Sequence, residues 1–342
     1  MSNHNPNTRS FGAVFFGLTA VLVLLSIVSI CLGRFFIAPE DVVKIIVNIF
    51  YPLDPTWNEQ AASVIYTIRL PRVIAAILIG AALAISGASY QSVFKNPLVA
   101  PDMLGVSSGA CVGAALAILS GMPQFGIQIA AFVGGLTAVC VAVMIPRIIG
   151  KNTIVMLVLS GIIVSGLTNS LLGIIKYLAD ADTELPAITY WQMGSLVSVV
   201  WDNILYSGIP IIAGVLFMLA IRWRMNILTL NDEEAHMLGK ETAWLRYAIV
   251  LCATILTACS VCISGTVGWI GLVVPHFSRM LVGPNNQRLL PLAVILGAIF
   301  LLVVDTVSRA SMNAEIPLSI LTGLIGAPFY FYLLIRQRMN LQ

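Results

Sequence analysis

The sequence predicts an all-α, polytopic membrane protein, and three observations carry that prediction. The stretch from Met103 to Pro146 contains no Asp, Glu, Lys or Arg, which no soluble domain sustains over such a length. Comparable uncharged runs recur at Ser10–Gly33, Val73–Phe94, Asn152–Ile175, Asn203–Ile221, Tyr247–Ser278 and Ile316–Ile335, with a shorter one at Leu289–Val304. Hydrophobic residues make up 59% of the 342 and charged residues 10%, with a mean hydropathy of +0.97. A bilayer core about 30 Å thick takes roughly 20 helical residues per crossing. The longest run therefore holds two crossings, broken at Gly121-Met122-Pro123, and Tyr247–Ser278 divides at the Gly265–Gly271 glycine cluster. The total is about ten spans, with both termini on one side of a single transmembrane domain that fills residues 1–342.

Orientation follows from the basic residues. With the N-terminus in the cytoplasm, the inner side collects Arg9, Lys95, Arg147, Lys151, Arg222, Arg224, Lys240, Arg246, Arg279, Arg288, Arg336 and Arg338. The outer side keeps only Arg34, Lys44, Arg69, Arg72, Lys176 and Arg309. That excess places the termini in the cytoplasm. The net charge of +3 is this bias and gives no reason to expect a nucleic-acid partner.

Taken in order, residues 1–10 form a short tail, and Phe11–Gly33 is an anchor too long for the apolar core of a cleaved signal peptide. Arg34–Ala61 reads as an external loop with short amphipathic pieces. The second span runs from near Ile68 to Gln91, and the turn through Asn96-Pro97 and Pro101-Asp102 follows, with Asp102 able to cap the third span. In that span Gly105, Gly109 and Gly113 recur at four-residue spacing. Such spacing lets helix backbones approach closely in lipid, or it lines a wide pathway; Gly161, Ser165 and Gly166 raise the same two readings. Asp180, Asp182 and Glu184 read as a solvated loop sooner than a cation site, and Tyr190-Trp191 as an interfacial anchor. The six cysteines lie in or beside apolar spans, so no disulfide framework is expected, and Cys259-x-x-Cys262 lacks the second pair of a metal site.

The main cytoplasmic excursion lies at 222–246 and holds a short capped helix. Asn231 is the N-cap, Asp232 and Glu233 put negative charge at the positive helix end, and Glu234 completes a capping box. Ala235 and Leu238 give it an apolar strip, and Gly239 stops it. About two turns of helix are marginal alone in water, so this one is expected to form against a partner or the rest of the chain.

Catalytic chemistry is not expected. Gly150-Lys151-Asn152 and Gly239-Lys240-Glu241 do not continue to Ser or Thr as a phosphate-binding loop does. ATP hydrolysis, if it drives the protein, belongs to another polypeptide. His276 reads as structural, and Asp305, the acid nearest a span interior, sits four residues before Arg309 as an i,i+4 ion pair. No metal or cofactor site is expected.

Several segments together resemble the permease subunits of type II ATP-binding-cassette importers, the family that moves iron–siderophore complexes, haem and cobalamin. They are Ile68-Arg69-Leu70-Pro71-Arg72, Gly80 through Ala88, Asn96-Pro97-Leu98, Leu104 through Ala110, Tyr190-Trp191 with Met193-Gly194-Ser195, Gly268 with Gly271 through His276, and Gly323 with Gly326-Ala327-Pro328. The resemblance covers nearly the whole chain. It implies ten helices per subunit, a second permease subunit (identical or a paralogue), two cytoplasmic ATP-binding subunits and an extracytoplasmic substrate-binding protein, in the bacterial cytoplasmic membrane. It also implies that Asn231–Gly239 is the helix that couples to the ATPase, although this sequence has Asn231-Asp232 where relatives commonly have Gly-Glu. Lys151, Asn152 and Thr153 would fall in the cytoplasmic gate region. Arg69, Arg72 and Arg309 match basic positions that receive glutamates of the binding protein; snorkelling at a helix end and pairing with Asp305 are their plainer uses. Iron–siderophore is the first expectation for cargo, with haem, cobalamin or an oxyanion as others. An ion-coupled secondary transporter is the rival, and it would need ionisable groups inside the spans.

Overall fold

The computed structural model describes residues 11–33, 36–49, 51–54, 56–150, 153–229, 243–311 and 314–339. Among them the chain is all-helical. Helix α1 is Phe11–Cys31, α2 Pro39–Asn48 and α3 Glu59–Val64, which runs through a wide turn at Ile65–Arg69 into α4, Leu70–Val93. A tight turn at Pro101–Leu104 leads to α5, Val106–Leu119. Then come α6 (Gln124–Ile149), α7 (Ile154–Leu178), α8 (Glu184–Met193), α9 (Trp201–Leu228), α10 (Ala243–Ser264), α11 (Ile270–Val282), α12 (Asn286–Ala310) and α13 (Leu318–Met339).

The predicted breaks fall where backbone chemistry requires them. Gly121 sits at φ 65° between α5 and α6, and Gly265 at φ 68° ends α10, conformations that cost a residue with a Cβ. The segment between the first two long apolar helices forms α2, whose Val42 and Ile45 are buried, in keeping with its amphipathic sequence. Two details differ from the sequence reading. The second crossing starts well before Ile68, because Glu59–Val93 is one continuous helix. Asp102 does not cap α5: Gly105, at φ 82°, holds the N-cap position without a side-chain cap, and the Asp102 carboxylate instead accepts from the Ser107 hydroxyl.

Among the described residues seven helices are long and apolar enough to cross a membrane, and three shorter apolar helices, 106–119, 270–282 and 318–332, accompany them. Helix α4 forms the axis. It contacts α1, α9, α10, α11 and α12, and 83% of the apolar window that contains it is buried, against 17–22% for α1, α7 and α9. Small residues make that possible: a Cβ on Gly80 would lie 2.2 Å from the Gly297 carbonyl oxygen, and one on Gly87 would lie 1.9 Å from that of Gly271. Lipid chains are as apolar as Leu, so helix association rests on such close backbone packing. Helices α5 and α6 meet by the same device, Gly113 against the carbonyl of Ala130. This is the packing use foreseen for the Gly105–Gly113 pattern.

Candidate functional site

Polar residues gather at the two ends of the helix bundle. At one end meet the C-terminus of α1, the N-terminal part of α4, the C-terminal turn of α12 and the segment before α13. Arg72 is the hub. Its Nε lies 2.9 Å from Asp305 Oδ1, and its two Nη groups donate to Glu315 at 2.9 and 2.7 Å. Asp305 is fully buried, Arg72 nearly so, and the Glu315 side chain is 23% exposed. Arg309 pairs with Asp305 at 3.5 Å and also donates to the carbonyls of Leu32 and Ser29 at 3.2 and 2.5 Å. Arg69 donates to the carbonyls of Ile30 and Cys31. Gly33 leaves it room, since a Cβ there would stand 2.9 Å from the Arg69 guanidinium.

This clasp has a clear physical logic. The last carbonyls of α1 have no partner within the helix and form its negative pole, and two guanidinium groups bond those of Ser29, Ile30 and Cys31 together with that of Leu32 just beyond. Buried charges persist only when paired and hydrogen-bonded, and Asp305 receives both Arg72 and Arg309. The i,i+4 pair was legible in the sequence. Its joining to Arg72, and through Arg72 to Glu315, and to the end of α1 was not, because Arg72 lies 233 positions from Asp305 and 243 from Glu315, and Ser29 lies 280 from Arg309. In this structure Arg69, Arg72 and Arg309 are all turned inward onto these partners.

At the other end, Gln91 on α4 donates to the carbonyls of Val99 and Gly271 at 3.2 and 3.4 Å and accepts from Arg279 of α11. Ser92 lies 3.0 Å from the Asn286 side-chain oxygen, and Asn226 of α9 bonds the first residues of α12. None of these was singled out from sequence; an Asn-Asn pair at a helix start is the only local signal. Asn231, Asp232, Glu233, Glu234, Ala235, Leu238 and Gly239 lie outside the described residues, as do Lys151 and Asn152. Thr153 is described: its hydroxyl caps α7 by accepting from the Met156 amide at 3.3 Å.

A third feature is the outward face of α7. Gly166, Asn169, Ser170 and Gly173 are exposed, and a Cβ on Gly166 or Gly173 would meet nothing within 4 Å. They fall at one-turn intervals, so a single stripe of the helix is small and polar. Beside it, α5, α6 and α7 enclose a groove of ≈ 440 Å³ lined by Gly113, Gly134, Thr137, Leu167 and Thr168. The three-acid loop is self-contained: Asp180 accepts from the amides of Asp182 and Thr183 and from the Thr183 hydroxyl. No group of three or more metal-ligating side chains occurs among the described residues. Cys259 and Cys262 are buried, unbridged packing residues.

Seven long apolar helices among the described residues, packed around a buried axis, have the make-up of a multi-pass membrane protein. The chain belongs to the FecCD transport family, whose model matches residues 21–336. It is 38% identical to the molybdate import system permease protein MolB of Haemophilus influenzae over 97% of this chain and 98% of that protein. It is 37% identical to a probable iron chelatin transport system permease protein of Helicobacter pylori over 92% of this chain and 96% of that one. A solved inward-facing metal-chelate type ABC transporter matches with a TM-score of 0.86 at 37% identity, covering 95% of this chain and 99% of that one. The chain is thus a permease of the type II importer class.

Proposed function

We propose that this chain forms half of the translocation pathway of an ATP-driven importer for a metal chelate or metal oxyanion. The observation that carries the pathway is the stripe on α7. An amide such as Asn169 is costly against hydrocarbon and belongs on a water-filled cavity or a partner helix, and Gly166 and Gly173 keep that face flat. A second permease subunit facing it would close a weakly polar channel that passes cargo without gripping it. All seven long helices and the three shorter ones cross the membrane in this reading, with both termini in the cytoplasm. The arginine clasp then lies on the extracytoplasmic face, beside the substrate-binding protein, and 230–242 lies beside two cytoplasmic ATPases.

The similar relatives are named for molybdate and for iron chelatin at nearly equal identity, so the cargo class includes a metal oxyanion as well as the ferric siderophore expected first. Selection rests with the binding protein. Docking of that protein at Arg69, Arg72 and Arg309 remains part of the proposal with one refinement. Arg72 is engaged by Asp305 and Glu315, so an incoming carboxylate would reach it by displacing Glu315. The secondary-transporter reading is not favoured, since the buried charges described sit at helix ends and are paired.

The test is reconstitution of the permease with its ATPases and binding protein, supplied with molybdate or a ferric siderophore in parallel. Uptake of one that stops with vanadate and needs the binding protein is the expected result. Uptake driven by an ion gradient without ATP would sink the proposal.

A further inference from the structure

The junction of α9 with α12 is built with more precision than packing needs. Asn226 sits in the last turn of α9, immediately before residues 230–242, which join α9 to α10. Its amide nitrogen donates to Asn285 Oδ1 at 2.9 Å, and its amide oxygen accepts from the Asn286 backbone N–H at 2.8 Å. Asn285 is the N-cap of α12, and its side-chain oxygen also accepts from the Gln287 N–H at 2.9 Å. One side chain of α9 therefore grips two successive residues of α12 and satisfies an N–H that the helix itself leaves open. Apolar contacts alone let helices slide, because burial is non-directional; a two-point amide contact fixes position and rotation together.

The grip continues into the axis of the molecule. The Asn286 side chain is buried and its oxygen accepts from Ser92 at 3.0 Å, near the end of α4. Farther along, α12 and α4 touch backbone to backbone at Gly297 and Gly80, so the two helices cannot shear freely.

We infer that Asn226 is a positioning residue that passes movement of the 230–242 segment into α12 and, through Asn286 and Ser92, into α4. This rests on the reading that Asn231–Gly239 engages the ATPase. Pushing on that segment moves the end of α9, and the Asn226 amide makes α12 follow. Without that amide, ATP would still be hydrolysed, but the bundle would lag behind the stroke.

The test uses the whole permease–ATPase complex in lipid nanodiscs, with native cysteines replaced and a single cysteine placed at the exposed Gln287. The labelling rate of that cysteine by a maleimide is compared with and without ATP and vanadate. In the parent complex the rate should change on trapping. Asn226→Leu should shrink that change about fivefold, the equivalent of the ~1 kcal/mol of a lost helix cap, while ATP hydrolysis and ATPase retention stay near normal. Asn226→Asp keeps an acceptor for the Asn286 N–H but loses the bond donated to Asn285 Oδ1, so its response should fall between those of Asn226→Leu and the parent. If Asn226→Leu lowers only the amount or melting temperature of the complex and the trapped response persists, the residue is merely structural and the inference is overturned. Should that variant fail to accumulate, Asn285→Ala carries the test by removing the acceptor of the Asn226 amide, and an undiminished response again overturns it. A parent complex that shows no response to ATP at all would instead bring down the coupling reading, and the linkage with it.

Discussion

Helices α4 and α7 are nearly equal in length, 24 and 25 residues, and both contain glycine and serine in an apolar run. One is the buried axis of the molecule; the other shows most of its surface. What separates them is what their glycines meet. Gly80 and Gly87 of α4 face the backbones of α12 and α11 at distances no Cβ could share, whereas Gly166 and Gly173 of α7 face nothing within 4 Å among the described residues. A small-residue stripe in a membrane helix is thus a socket. In α4 it is filled from within the chain, and in α7 it is open among the described residues.

The strongest way to break the comparison is to fill the α4 socket. Gly87→Val should abolish accumulation of folded protein, since even its Cβ would stand 1.9 Å from the Gly271 carbonyl, beyond the roughly 1–3 kcal/mol of ordinary overpacking. Membrane level and detergent stability would show it, and a normal melting profile would refute the axis role of α4.

Next in size is the charged end of the same helix. Arg72→Ala leaves Asp305 buried with only the longer contact to Arg309, and losing one partner of a buried pair costs about 3–5 kcal/mol. The melting temperature should fall sharply. Replacing Arg72, Asp305 and Glu315 together with Leu, Leu and Gln should recover part of the loss, because the unpaired Asp305 charge is removed while Arg309 keeps only the Ser29 and Leu32 carbonyls as partners. Failure of the triple variant to recover would mean that the clasp contributes more than charge compensation.

Filling the α7 socket should have the opposite signature. Gly166→Leu is expected to leave folded level and melting temperature nearly unchanged while transport falls severalfold, as the new side chain projects where a partner or the cargo would be. Unaltered transport would indicate that this face looks onto lipid. Crosslinking from a cysteine at Gly173 to a second subunit would sharpen the point further.

The smallest effect belongs to the loop between α7 and α8. Hydrogen bonds from the Thr183 hydroxyl and amide, with that of Asp182, hold the Asp180 carboxyl below the usual carboxylate range. A depressed value means that the loop's stabilisation is complete above the unfolded carboxylate pKa of about 4 and is lost as pH falls through the lower folded value. Hydrogen exchange at the Thr183 amide should therefore be flat from neutral pH down to about 5 once corrected for intrinsic rates. Asp180→Asn should abolish any protection that disappears at lower pH, with no change in transport.

Much of this was legible in the amino-acid sequence, because lipid imposes rules that operate locally. Uncharged length marked the runs that became long apolar helices, and Gly121, Pro123 and Gly265 marked their breaks, since a helix must satisfy its own backbone in hydrocarbon and ends where φ or a missing N–H forbids continuation. The Asp305–Arg309 pair was legible for the same reason, its partners being one turn apart. Asp102 departs from the cap its position predicts: its carboxylate accepts from the Ser107 hydroxyl, and Gly105 holds the N-cap position.

What the tertiary structure alone decided is which apolar helix lies inside and which polar groups meet. Hydropathy is blind to that choice: protein interior and lipid reward the same side chains, so α4 and α7 look alike until Gly297 and Gly271 are brought against one of them. The joining of Arg72 to Asp305 and Glu315, and of Asn226 to Asn285 and Asn286, depends on contacts across 233, 243 and about 60 positions. Each partner there is an ordinary polar residue in its own neighbourhood, and only folding places it where an unpaired charge or an open helix end needs it.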